Sequence, residues 1–231
     1  MNILIVYGNE RKESTYNCVQ IVRRTIEHYG DVEFKEIWLP KDLPEFCSGC
    51  FNCMNKGEAY CPHREYVYSI VDSILKADGI IIASPVYGLD VSGGIKNLID
   101  HLCFMWIPHR PNSQVFSKVG LVISTAAGGG MRRTNRTMKN ALDYMGFKRT
   151  YTFGSAVAAC KWDDVKKSKK ANIEKKLIKK ANQYYRAIKN SGKLNYRLST
   201  KVFFRMMKFI ISKYEDGNID KEYWRNKGWI N

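Results

Sequence analysis

The sequence predicts an α/β protein: an open, doubly wound parallel sheet of five strands, helices on both faces, and a helical extension at the C-terminus. Three observations carry that expectation. Apolar runs of strand length alternate with stretches of helical periodicity from residue 2 to about residue 160. The run Gly79-Ile80-Ile81-Ile82-Ala83 is small or apolar at every position, as a strand covered on both faces requires. The loops after strands one, three and four carry hydroxyls, glycines or an aromatic, and in such sheets those loops meet at one edge, where ligands bind.

Asn2–Tyr7 reads as strand one, stopped by Gly8. The loop from Gly8 to Thr15 opens a helix over about Tyr16–Tyr29, with Val19, Ile21, Val22 and Ile26 as its apolar face and Ser14 or Thr15 as the natural N-cap. Val32–Trp38 alternates as strand two. Pro40, Pro44 and the cysteine segment 47–62 then form a long irregular loop, before a helix over Arg64–Lys76. The central strand Gly79–Ala83 breaks at Ser84-Pro85, because proline has no N–H for a ladder. Tyr87 follows on a loop that Gly88, Gly93 and Gly94 keep bendable, a candidate lid for a flat ring. Ile95–Trp106 is the next helix, and Ile107 to Asn112 an exposed loop with two prolines. Lys118–Thr125 is strand four. It ends in Ser124-Thr125-Ala126-Ala127-Gly128-Gly129-Gly130, where backbone amides can close on a planar ligand. Met131–Met145 is a helix stopped by Gly146, and Tyr151–Ala159 is strand five.

A helix N-terminus with free N–H groups, hydroxyls and Arg11 nearby is an anion site; simple capping explains the same residues. The loop lacks the further glycines of a dinucleotide fingerprint and has no Gly-Lys-Ser/Thr, so a phosphate held here by hydroxyls and amides suits a mononucleotide.

Composition bounds the rest. The chain has 231 residues, 45% of them hydrophobic, enough for one α/β domain with a real core. No run reaches the roughly 18 apolar residues of a membrane helix. The start reads as a strand rather than a signal peptide, so a cytoplasmic protein is expected. Net charge is +16, unevenly spread: residues 1–160 hold 18 Lys/Arg against 15 Asp/Glu (+3), and residues 161–231 hold 20 against 7 (+13). The basic segment begins a long helix with Ile173, Leu177, Ala181, Tyr184 and Ile188 at spacings of three and four. A very apolar stretch, 202–211, and an aromatic, basic tail follow. Packing on the core, a subunit interface and a membrane surface all suit these elements. No nucleic-acid motif accompanies the charge, so a specific nucleic-acid partner is not expected, and a solvated helix face accounts for it.

The ordered set of motifs over residues 1–160 resembles the flavodoxin-like NAD(P)H-dependent FMN reductases. It comprises Gly8 to Ser14, Ser84-Pro85-Val86-Tyr87, Gly94 to Asp100, His109-Arg110-Pro111 and Ser124-Thr125-Ala126 with the glycines. The resemblance implies a three-layer α/β/α sandwich with strand order 2-1-3-4-5 and FMN as cofactor. In that reading Asn9, Arg11, Ser14, Thr15, Tyr16 and Asn17 hold the phosphate. Pro85, Val86, Tyr87 and Gly88 flank the ring, and Ser124, Thr125, Ala126, Gly128 and Gly129 contact its polar edge. Two features depart from the family pattern: Asn9-Glu10 stand where Ser-Pro is frequent, and Tyr16 stands where a threonine is usual. The chemistry belongs to the flavin, with NAD(P)H as hydride donor, so no catalytic side chain is assigned. Cys103, Trp106, His109 and Arg110 are candidates to shape the substrate opening. The family also implies a homodimer.

Seven cysteines without a secretion signal argue against a disulfide framework. Four of them, Cys47-x2-Cys50-x2-Cys53-x7-Cys61-Pro62, resemble the compact motif of the iron–sulfur flavoproteins, which carry [4Fe–4S] beside FMN. A tetrahedral zinc and a metal-free loop are the alternatives. Residues 1–160 are thus expected to form an FMN domain with a cysteine-rich loop at 47–62, and residues 161–231 a basic helical extension packed on the core or on a partner subunit. The functional expectation is an FMN-dependent oxidoreductase passing electrons from NAD(P)H to a flavin, quinone or other small acceptor. An iron–sulfur flavoprotein that carries electrons to a redox protein is the alternative.

Overall fold

The computed structural model describes residues 1–231. Five strands, β1 (Asn2–Tyr7), β2 (Glu33–Trp38), β3 (Gly79–Pro85), β4 (Val119–Ala126) and β5 (Arg149–Ala156), form one sheet in the order β2-β1-β3-β4-β5. Every pairing is parallel, so the expected flavodoxin-like topology is present. Alternation along the strands divides the core in two. Leu4, Val6, Ile80, Ile82 and Val122 face one layer, and Ile3, Ile5, Ile81, Leu121 and Ile123 the other. β2 is an edge strand, and there only Ile37 is fully buried.

The first layer holds α3 (Arg64–Lys76), α4 (Gly93–His101) and α5 (Met131–Met145); the second holds α1 (Ser14–Glu27) and α6 (Lys167–Lys189). The basic helix α6 therefore buries its predicted stripe, Ile173 to Ile188, beside α1. Beyond it, α7 (Leu198–Ser212) and α8 (Ile219–Asn226) build a small separate core from Met207, Ile211, Trp224 and Ile230, seated on Ile107.

Several element boundaries differ from expectation. α1 starts at Ser14, with Glu13 as N-cap and no side-chain cap, so neither Ser14 nor Thr15 spends its hydroxyl on the helix end. β3 runs through Pro85, because the ladder resumes past it: Val86 N–H donates to Thr125 O at 2.9 Å. α4 is capped by Ser92 and ends at His101, after which Cys103–Met105 tightens into a 3-10 turn. β5 begins and ends earlier than Tyr151–Ala159, which frees residues 157–160 to form a wall of the site. The cysteine segment is less irregular than expected: it contains a one-turn helix, α2 (Asn52–Asn55), and a 3-10 turn at Glu58–Tyr60.

Candidate functional site

A cleft of about 210 Å³ opens at the carboxyl edge of the sheet. Its floor and one end are the N-terminus of α1. Ser14 and Thr15 are buried there beside Asn9, Arg11 and Glu13. The absence of a side-chain cap leaves the first-turn N–H groups facing the cleft without the usual oxygen partner. Ser14 Oγ is buried with no hydrogen-bond partner in the protein, and a buried hydroxyl left this way is costly. Thr15 Oγ1 lies 2.6 Å from Thr125 Oγ1, joining α1 to the end of β4. Glu13 does not stand free against an anion, since its carboxylate accepts the Trp162 N–H at 2.6 Å. Arg11 donates to Cys160 O at 3.2 Å.

The second wall is the loop after β3. Tyr87 and Asp90 exchange backbone hydrogen bonds of 2.9 and 3.0 Å around Gly88 (φ +53°) and Leu89 (φ +64°). Two successive left-handed residues give the tight turn, and only Gly88 adopts that conformation without strain. Asn9 Nδ2 donates to the Tyr87 hydroxyl at 3.0 Å, tying this loop to the one after β1. Asp90 fastens the loop to α5: its carboxylate accepts from Val91 N–H, Thr137 Oγ1 and Arg133 Nε, each at 2.8 Å. Burial pushes the Asp90 carboxyl up, but these donors outweigh it and hold it below the usual range. A side chain at Gly130 would meet Val86 and the Leu89 backbone, so a glycine at the start of α5 lets the two loops touch.

Of the residues expected to hold a cofactor, Asn9, Arg11, Ser14, Thr15, Pro85, Val86, Tyr87, Thr125 and Ala126 line the cleft together. Tyr16 instead packs on Tyr7 and Trp38, with ring centroids 5.7 and 5.9 Å away. Asn17 donates to Glu13 O. Ser124 is fully buried, its hydroxyl turned to Met131 O. Gly88, Gly128 and Gly129 are exposed beside the cleft wall rather than in it. The lining also includes Glu13 and Ala127 of the expected loops and, missed by sequence reasoning, Val157, Ala159 and Cys160. The signal for the last three was available: they follow β5 at the same sheet edge.

The four expected pocket residues are not in the cleft. Cys103 Sγ donates to Ile99 O, and burial, helped by Asp100, pushes its thiol up to about 11. Trp106 packs on Tyr144. Arg110, nearly inaccessible, pairs with Asp220 of α8 and Glu58, and donates to Cys53 O. His109 Nδ1 sits 3.0 Å from Asp220. Through Asp220, His109 and Arg110 fasten α8 to the cysteine loop.

That loop keeps all four thiols free, with Cys47 and Cys50 exposed and Cys53 and Cys61 half-buried. Burial raises the Cys53 thiol, and the neighbouring Cys61, Cys47 and Cys50 raise it further. Left-handed backbone at Gly49, Phe51 and Gly57 curls the loop. Helix α4 holds both ends. Buried Asn97 accepts the Cys47 N–H at 2.9 Å and donates to Glu45 O at 2.8 Å. One turn on, His101 Nδ1 donates to Asn97 O at 3.0 Å, which leaves Nε2 to accept from His63 Nδ1 at 2.9 Å. Burial lowers the His101 pKa and keeps the ring neutral in this relay. Cys61 Sγ lies within 4.8 Å of both rings' ligand atoms.

The model of the NADPH-dependent FMN reductases matches residues 1–162. The chain belongs to that family. Membership makes it an oxidoreductase and agrees with the position of the cleft at the strand ends. Among its relatives, an iron-sulfur flavoprotein of Methanocaldococcus jannaschii is 26% identical over 197 residues, covering 82% of this chain and 98% of the relative. An iron-sulfur flavoprotein of Archaeoglobus fulgidus is 25% identical over 229 residues, covering 97% and 94%. The structure of RosB with a bound 8-demethyl-8-formylriboflavin-5'-phosphate superposes with a TM-score of 0.66 at 15% identity, over 94% of this chain and 88% of that one. The family match ends at residue 162, just before α6 begins at Lys167.

Proposed function

We propose that the chain is an FMN-dependent oxidoreductase that accepts electrons from NAD(P)H and passes them to a small acceptor such as a free flavin or a quinone. The observation that carries this reading is the N-terminus of α1. An uncapped helix end, an orphaned buried Ser14 hydroxyl, the Thr15–Thr125 pair and Arg11 converge on one cleft, and a phosphomonoester satisfies all of them. Asn9, Arg11, Ser14 and Thr15 would hold the phosphate. Pro85 to Gly88 and Ala126 to Gly129 would flank the ring, at the open side of the cleft. Bound there, FMN would supply the hydride and electron chemistry. The protein orients the ring, offers backbone N–H groups to it and leaves one face open to nicotinamide and acceptor in turn. The cleft is smaller than the roughly 300 Å³ of an ordinary ligand pocket, and a homodimer in which a second subunit closes the open side suits that shape.

The test is binding of FMN against riboflavin, read by quenching of flavin fluorescence. Tight binding of FMN and weak binding of riboflavin supports the phosphate site. Equal affinity, or none for either, removes it.

A second reading, favoured by the cysteine loop, adds a [4Fe–4S] cluster held by Cys47, Cys50, Cys53 and Cys61. Four free thiols on one curled loop, with Cys61, Cys47 and Cys50 near enough to Cys53 to raise its thiol, form a donor set suited to it. Both relatives named above carry iron–sulfur in their names. Iron and sulfide assays on anaerobically purified protein decide: about four irons per chain support the cluster, and a yellow, iron-free protein leaves a simple flavin reductase. With a cluster, a redox protein becomes the favoured electron partner.

A further inference from the structure

We propose that α7 seats the protein on a membrane surface rich in anionic phospholipid, with the helix lying in the plane of the interface. The helix is apolar on two opposite sides. Its inner side, Met207 and Ile211 with Phe203 and Phe204 beside them, is satisfied by Ile107, Trp224 and Ile230. Its outer side presents Leu198, Val202, Met206 and Phe209, which are 76%, 57%, 48% and 67% exposed. Spacings of four, four and three place these side chains in one stripe. An ordinary surface helix has a polar outer side, so this stripe calls for an occupant.

Charge identifies the occupant. Lys201, Arg205 and Lys208, all exposed, run along one border of the stripe, and Lys213 Nζ lies 5.6 Å from the Phe209 ring at its end. Beside the same border is a cavity of about 360 Å³ walled by Ile107, Phe116, Phe204 and Trp229, with Lys201 and Arg205 on its rim. Apolar surface with cations at its edge is the chemistry of an interfacial helix, which buries its apolar residues below the headgroups and pairs its lysines with phosphates.

The other occupants fit less well. A second copy brings another segment of +13 to meet this one. Four side chains also offer far less than the about 800 Å² per partner of a standard interface. A polynucleotide answers the charge and leaves the stripe in water. Position agrees with anchoring. α7 touches Phe116, just before the amino end of β4, and Tyr144, in the last turn of α5, so it sits at the end of the sheet opposite the cleft. A protein seated through α7 keeps its cleft facing solution.

The test is co-sedimentation of the full chain with vesicles of phosphatidylcholine alone and of phosphatidylcholine mixed with phosphatidylglycerol, at low and high salt. Binding is expected only to the mixed vesicles and is expected to weaken with salt. Val202→Ser with Phe209→Ser removes apolar insertion without touching the inner face and should cost at least about tenfold. Lys201→Gln with Arg205→Gln and Lys208→Gln should cost about a hundredfold. Thermal melts matching the parent show that both variants are folded. The proposal fails if the mixed vesicles are not bound, or if the stripe variant binds as the parent does. It also fails if millimolar inorganic phosphate displaces the vesicles, which would make the cations a free-phosphate site, or if sedimentation without lipid shows a dimer that the stripe variant abolishes.

Discussion

Thr15 Oγ1 and Thr125 Oγ1 share a hydrogen bond of 2.6 Å between residues 110 positions apart, and both side chains are buried. This pair joins the first turn of α1 to the last residues of β4, the two elements whose meeting makes the cleft. Thr125→Val keeps the shape and leaves the Thr15 hydroxyl without its partner. A buried hydroxyl stranded in this way costs about 1–3 kcal/mol, so the variant should melt several degrees lower without flavin. An unchanged melting temperature would mean that the pair does not tie the two elements together.

Ser14 gives the opposite sign. Its hydroxyl is buried and unpartnered in the protein alone, so Ser14→Ala removes a polar atom that gains nothing there. The flavin-free variant should be as stable as the parent or more so. FMN affinity should fall by about tenfold to a hundredfold, the worth of a hydrogen bond to a charged phosphate. Titration calorimetry with FMN, set beside thermal melts, separates the two effects. A variant that loses stability and keeps FMN affinity would place the phosphate elsewhere.

The central parts of this site were legible because they follow from strand-end chemistry. Gly79 to Ala83 could only be a doubly covered strand, and the topology then brings the loops after β1, β3 and β4 to one edge. What was not legible depends on contacts distant in sequence. Nothing near Tyr16 says that its ring packs on Tyr7 and Trp38 instead of turning to the cleft. His109 and Arg110 were site candidates because His109-Arg110-Pro111 is one of the motifs that carry the resemblance. Their partner, Asp220, lies 110 residues further on, beyond the domain the motifs describe. The cap of α1 fell to Glu13 although serine and threonine are the better caps. Ser14 and Thr15 sit one and two positions too late, inside the first turn, where neither hydroxyl caps the helix.

Asp90 makes a pH-dependent fastening of the Tyr87 loop. Its folded pKa lies below the ordinary 3.8, held there by donors that outweigh burial. A carboxyl depressed in the folded state adds stability above its unfolded pKa and loses it as pH falls through the folded value. The loop should therefore stay fastened at neutral pH and loosen below about pH 3.8. Asp90→Asn loses the charge and one acceptor, so its melting temperature should fall below the parent's at pH 7, and the gap should narrow as both are brought to pH values below the folded pKa of Asp90. A gap of constant size across that range would remove the ionised carboxylate from the explanation.

Asn97 holds the entrance of the cysteine loop through its side chain and, with its carbonyl, orients His101 against the loop's far end. It is 4% exposed, so no water replaces it at once when it is removed. Asn97→Ala strands the Cys47 N–H and the Glu45 carbonyl, while Asn97→Asp keeps the acceptor for Cys47 but turns a buried carboxylate toward the Glu45 carbonyl. If the loop encloses a cluster, both variants should retain less iron per chain than the parent after anaerobic purification. Cys18 lies in the other core layer, so Cys18→Ala should leave the iron unchanged and serves as the control for a thiol outside the loop. If Asn97→Ala retained the parent's iron, α4 would be a neighbour of the loop and not its scaffold, since four thiolates would then set the loop's shape without the helix behind them.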